Sequence, residues 1–220
     1  MNTDNARAAI LAQIRARQGR PAGLRVQELQ DVELEIARHQ RGPQPRPVAD
    51  VVAAFTEQAL ALQTSVARVA GFGDVPRAVA EYLRGQGLPM HGVAWEPLSG
   101  LPWSEAGVAL EFRPPLDADK LGVTGCFCAV AETGSLVLAS ADTTPASTHL
   151  LPETHVATVA AARIVPTLED AYALLRAEAG GLPRALSTVS GPSRTGDIEQ
   201  TIVLGAHGPY RVHVVIVDAA

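Results

Sequence analysis

Cysteine occurs only twice in these 220 residues, at Cys126 and Cys128, and lysine only once, at Lys120. Two thiols cannot make a disulfide framework, so the fold must rest on its core, as suits a reducing compartment. They also supply only half of a four-thiolate zinc or iron–sulfur set, so no cluster is expected on this chain. The C-x-C pair reads as two small buried hydrophobes, which on a strand would share one face. Aromatic residues make up 4% of the chain against a hydrophobic total of 47%. The core must therefore be built from Ala, Val, Leu and Ile, a composition that favours layered α/β packing. Charges interrupt every apolar run well before the ~18–20 residues needed to cross a bilayer. The first residues lack the basic start, apolar centre and cleavage site of an export signal. The expectation is a cytoplasmic protein with no membrane segment. A net charge of −5 argues against a nucleic-acid surface.

Charge is unevenly spread. Residues 1–48 carry eight Arg against five acidic residues, leaving −8 for the rest. That describes either a basic arm docking on an acidic partner or a solvated, helix-prone extension. Residues 1–47 are accordingly read as a helical extension or linker, with a helix over 5–17 and at most a short one near 32–39. Residues 48–220 are read as the compact domain. Phe55, Ala59, Leu62, Val66 and Val69 step by four, three, four and three, which predicts one helix capped by Asp50 and ended by Gly71. A second helix is predicted over 74–84, with Val75, Val79, Tyr82 and Leu83 inward. Strands are expected at 108–112, 135–140, 156–160 and 163–165, followed by a helix over 168–179 in which Thr167 and Asp170 have capping-box spacing. Residues 186–190, 196–204 and 211–217 read as strand, helix and buried strand, a βαβ unit feeding a parallel sheet.

Two segments could carry chemistry. The loop Ser190, Gly191, Pro192, Ser193, Arg194 and Thr195 precedes the predicted helix, where hydroxyls, a guanidinium and unpaired amides would suit phosphate or carboxylate. It lacks the glycine fingerprint of dinucleotide sites and the lysine of a P-loop. Asp197 and Glu199 would already satisfy the helix dipole, so an anion site and a structural capping loop both remain open. The other segment is Glu132, Thr133, Gly134 and Ser135 between apolar flanks. A carboxylate buried there would be suited to acid–base or nucleophilic work. It could equally bond backbone at a turn or pair with an arginine. His149 and His155 fit no metal spacing and read as a loop entering a strand. His213 reads as a core or edge histidine. His207 lies on a turn that the predicted helix would carry about 15 Å from Arg194.

Residues 122–140, 149–159, 190–199 and 205–217, in that order, resemble the LUD domain of the lactate utilisation protein C family. The resemblance implies an α/β fold with a mostly parallel sheet flanked by helices, like the NagB, ribose-5-phosphate isomerase and CoA-transferase group. It implies a non-redox subunit or accessory role in oxidising L-lactate to pyruvate, with iron–sulfur clusters on partner proteins, lactate utilisation proteins A and B. Carried over by motif, the functional positions are catalytic Glu132 and ligand-binding Thr133, Gly134, Ser190, Gly191, Ser193, Arg194, Thr195 and Asp197. Ser135 stands where a second threonine is common, and no arginine occurs in 144–149, where one often precedes the Leu-Leu-Pro segment. The alternative is a stand-alone enzyme on a small phosphorylated or CoA-activated substrate, with Glu132 catalytic and Ser190–Thr195 gripping the anion.

Overall fold

The computed structural model describes residues 3–19, 26–178, 180–198 and 201–219. The chain divides into two compact units, Met1–Gln44 and Pro45–Ala220. The first holds α1 (Thr3–Arg17) and α2 (Val26–Arg38). The second helix is longer than composition suggests, because its large apolar residues, Val26, Leu29, Val32, Leu34 and Ile36, are all exposed.

In the second unit the chain runs through α3 (Val51–Ala61), β1 (Ser65–Gly71), α4 (Val75–Gly85), β2 (His91–Ala94), β3 (Ala109–Glu111) and β4 (Leu121–Gly125). It continues with β5 (Cys128–Val130), β6 (Ser135–Ala139), α5 (Ser147–Leu150), β7 (Thr154–Ala160), β8 (Ile164–Val165) and α6 (Leu168–Glu178). It closes with β9 (Leu186–Val189), β10 (Arg194–Ile198), β11 (Thr201–Leu204) and β12 (Arg211–Ala219). Six strands form an all-parallel sheet in the order β1-β12-β7-β4-β2-β3. A smaller sheet, β8-β5-β6-β9, is antiparallel except between β5 and β8.

Strand alternation decides what each face buries. Val215 and Val217 of β12, with Val123 and Val156, pack on Val75, Val79 and Leu83 of α4. Val214 and Ile216, with Ala157 and Val159, pack on Phe55 and Ala59 of α3 and on Leu136 and Leu138 of the smaller sheet. The parallel sheet is thus covered on both sides, which is why its central strands are nearly continuous Val, Ile and Ala.

Two predicted elements are overturned. The helix expected to run to Val69 stops at Ala61: Gln63 takes a positive φ of 67° and the chain enters β1. Val66 and Val69 then pack on opposite faces of the sheet, as a separation of three requires on a strand. Gly71 ends that strand rather than a helix. The helix expected over 196–204 is instead the antiparallel hairpin β10–β11, pairing Arg194 with Leu204 and Thr195 with Val203. Its β-branched Thr195, Ile198, Thr201, Ile202 and Val203 explain this choice, since branched side chains favour the pleated backbone. Residues 186–189 consequently belong to no βαβ unit; they pair antiparallel with β6. The cap on α6 matches expectation: Asp170 N–H donates to Thr167 Oγ1 and Thr167 N–H to Asp170 Oδ2, each at 3.2 Å.

Candidate functional site

The carboxyl end of α3 is the seat on which the two motif segments meet. Asp50 caps the other end, its carboxylate accepting from Val52 and Ala53 N–H at 3.0 Å. At the carboxyl end, Thr64 N–H donates to Ala59 O, turning the chain directly into β1. Anything seated there lies at the amino end of the parallel sheet, not at the carboxyl end where open α/β sheets usually bind ligands.

Residues 131–134 form the turn between β5 and β6, held by Glu132 N–H donating to Pro166 O at 3.0 Å. Gly134 has φ 61°, and a Cβ there would lie 2.7 Å from Ala59 N. Gly191, after β9, has φ 82°, and a Cβ would lie 2.5 Å from Leu62 O. Both glycines let backbone rest directly on the helix end, one from each segment. Because β6 and β9 pair in register from Leu136↔Val189, Ser135 and Ser190 come side by side. Their hydroxyls are 2.6 Å apart, and Ser135 Oγ is 2.7 Å from Thr133 Oγ1. A chain of three hydroxyls thus joins exposed Thr133 to exposed Ser190 through buried Ser135. Each hydroxyl can donate once and accept twice, so the two outer ones can meet oxygen-rich groups from solvent.

Arg194 completes the seat. Its Nη2 donates to Leu62 O and to Gln63 Oε1, both at 3.0 Å. A guanidinium at a helix carboxyl end complements the dipole there. This replaces the predicted helix amino terminus, so no helix dipole draws an anion to Ser190–Thr195. Thr195 is buried, and Ser193 ties the hairpin stem to the chain before β12: Ser193 N–H donates to Pro209 O at 2.8 Å, and Gly205 N–H to Ser193 O at 2.9 Å. Asp197 lies in β10, and its side chain is outside the described residues. The hairpin also brings the His207 turn back to the end where Arg194 begins, contrary to the separation a helix would impose.

Glu132 is exposed at the tip of its turn. It is therefore not the buried carboxylate the sequence suggested, and it stands in solvent beside the hydroxyl chain. The cysteines pack as the small hydrophobes expected, but on different faces. The chain bends at Phe127 before β5 starts, so Cys126 packs between the sheets while Cys128 packs toward α6. Burial pushes both thiols up, Cys128 to about 11.

Sequence reasoning missed the burial of His149 and His155, while His213 is the core histidine expected. His149 and His155 are 1% and 0% exposed, with ring centroids 5.9 Å apart. His155 Nε2 lies 2.8 Å from Thr124 Oγ1, and neither ring nitrogen of His149 has a partner among the described residues. Burial depresses their pKa values to about 4 for His149 and about 3 for His155. His213 is buried too, stacked 4.0 Å from Tyr82 and 2.8 Å from Ser65 Oγ, with its pKa lowered to about 4. The one available signal was the two β-branched residues, Thr154 and Val156, flanking His155 in a segment otherwise punctuated by proline.

Comparison with known proteins places this arrangement. A model of the LUD domain family matches residues 52–217. Lactate utilization protein C of Deinococcus radiodurans is 31% identical over 182 residues, 80% of this chain and 83% of that protein. Lactate utilization protein C 1 of Bacillus mycoides is 40% identical over 104 residues, 46% of this chain and 44% of that protein. The Bacillus subtilis protein of the same description is 34% identical over 102 residues, covering 45% and 42%. The match thus spans less than half the length of the two Bacillus relatives. A crystal structure of a DUF162 family protein from Deinococcus radiodurans superposes with a TM-score of 0.59 at 27% identity, covering 80% of this chain and 99% of that chain.

Proposed function

Because this chain belongs to the LUD domain family, we propose that it serves lactate utilisation in the cytoplasm. Its role is that of the non-redox subunit or accessory of an iron–sulfur system oxidising L-lactate to pyruvate. The observation that carries this is the Deinococcus radiodurans relative, named lactate utilization protein C and aligned over 80% of the chain. The oxidation releases two electrons and two protons, and the clusters that accept the electrons sit on partners of the lactate utilisation A and B type. Composition supports that division: two cysteines, both kept as thiols by burial, supply no four-thiolate set. Among the described residues no helix is long and apolar enough to cross a membrane.

The test is genetic and biochemical. Deleting the gene should abolish growth on L-lactate, and the tagged protein should leave lactate-grown cells with iron-containing partners. Unchanged growth, with colourless, iron-free eluates, would refute the role. The meeting of Thr133, Ser135 and Ser190 favours one second reading, an enzyme on a phosphorylated or CoA-activated substrate with Glu132 at the rim and Ser190, Gly191, Ser193, Arg194, Thr195 and Asp197 around the ligand. Turnover of such a substrate by purified protein, lost in Glu132→Gln, would put that reading first.

A further inference from the structure

The opposite face of the central sheet carries a second polar cluster, built by strand register. Leu121, Thr154 and Arg211 pair laterally at the starts of β4, β7 and β12. The residues just before them, Lys120, Glu153 and Tyr210, are therefore neighbours along the sheet's amino edge. Lys120 Nζ lies 2.6 Å from Glu153 Oε1, and Tyr210 OH donates to Glu153 Oε2 at 2.9 Å. Glu153 is thus fully engaged, and its charge is matched by the only lysine of the chain.

Arg211 is left as the unbalanced charge. Its guanidinium carbon sits 4.3 Å from the centroid of the Tyr210 ring; Glu153 feels its charge but bonds to Lys120 and Tyr210 instead. A guanidinium laid over an aromatic face keeps its N–H groups in the plane of the fork, outside the stack. That is the presentation a carboxylate accepts in bidentate fashion. Beside these groups lies a cavity of about 180 Å³, lined also by Leu83, Leu88, Pro89 and Leu121. At ~30 Å³ per water in the liquid, that is room for about six waters. Part of the lining is therefore cationic by a single net charge, and the rest is largely aliphatic.

We propose that this cavity binds a short-chain monocarboxylate, its carboxylate held by the Arg211 fork and its alkyl end against Leu83, Leu88 and Leu121. One negative charge neutralises the cluster; a second would meet Glu153. The small volume limits the tail to a few carbons. Thr154, 2% exposed, also lines the cavity. The site stands on its own geometry and does not depend on the lactate role.

Calorimetric titration of the full chain with acetate, propanoate, butanoate, L-lactate and inorganic phosphate tests this. Saturable binding should tighten about fourfold from acetate to propanoate, the effect of one buried methylene, and phosphate should bind more weakly than propanoate. Arg211→Gln should weaken propanoate at least tenfold while its far-ultraviolet spectrum stays that of the wild type, and Arg211→Lys should fall between. Arg77→Gln, at an exposed arginine of α4 paired with Asp74 and Glu81, should leave propanoate binding unchanged. No saturable binding, phosphate binding as tight as propanoate, or propanoate binding undiminished in Arg211→Gln would each overturn the site. Growth on L-lactate reads the proposed role separately.

Discussion

Acidifying the protein from pH 7.5 to pH 5 should unfold it well before its carboxylates titrate. His149, His155 and His213 are 1%, 0% and 4% exposed, and burial holds their pKa values at about 4, 3 and 4 against an ordinary 6.5. Below pH 6.5 the unfolded chain takes up these three protons while the folded chain refuses them until about pH 4 or lower. Stability is therefore complete above pH 6.5 and falls as pH drops through the window from 6.5 to 4. Each such group costs ~1.4 kcal/mol per pH unit inside the window. Three together cost about 4 kcal/mol per pH unit, comparable over two units with a whole domain's stability of ~5–15 kcal/mol. Urea midpoints followed by circular dichroism at pH 7.5, 6.5, 5.5 and 5 measure this directly. His149→Leu should cut the slope by about a third and leave stability at pH 7.5 unchanged or higher, since neither ring nitrogen has a hydrogen-bond partner among the described residues. A midpoint that does not move between pH 7.5 and 5, or a His149→Leu slope equal to wild type, would refute the reasoning.

The α3 seat makes further predictions. Gly134→Ala and Gly191→Ala each force a Cβ into a left-handed backbone and against helix backbone, at 2.7 and 2.5 Å respectively. Each should cost at least ~1–2 kcal/mol in urea denaturation; a change below about 0.5 kcal/mol would show that the helix end yields freely. Arg194→Ala removes two hydrogen bonds at the α3 terminus and should cost about 1 kcal/mol, with faster amide exchange in the 194–204 hairpin. Exchange unchanged there would mean the guanidinium does not hold the stem.

Much of the architecture is readable from residue order. The spacing of Val75, Val79 and Leu83 predicts α4, and the Thr167–Asp170 pair predicts the cap of α6; both are found. What fails is where two periods fit the same residues. Val66 and Val69 continue a helical stripe and also suit alternate faces of a strand, and Gln63 turning to positive φ is not announced by composition. Asp197 and Glu199 resemble a helix's first turn, yet the β-branched residues around them decide for a hairpin. The hydroxyl chain is legible only in part. Thr133, Ser135 and Ser190 are visible as motif members, but Ser135 meets Ser190 across 55 residues through β6–β9 pairing, which no local pattern encodes. The burial of His149 and His155 is hidden because a proline-containing polar stretch reads as surface until the sheet closes around it, whereas His213 is legible within its apolar strand.

The position of β12 has a consequence for how this protein is made. The strand that fills the gap between β1 and β7 comes from residues 211–219, and its His213 meets Ser65 from 148 residues earlier. During synthesis β1 emerges well before its one strand partner and waits with its backbone unpaired until residues 211–219 have also left the ribosome. Such long-range closure is slow, and an exposed strand edge in the meantime invites pairing with the wrong chain. Nascent chains released before residue 211 should therefore be clients of chaperones, not small stable domains.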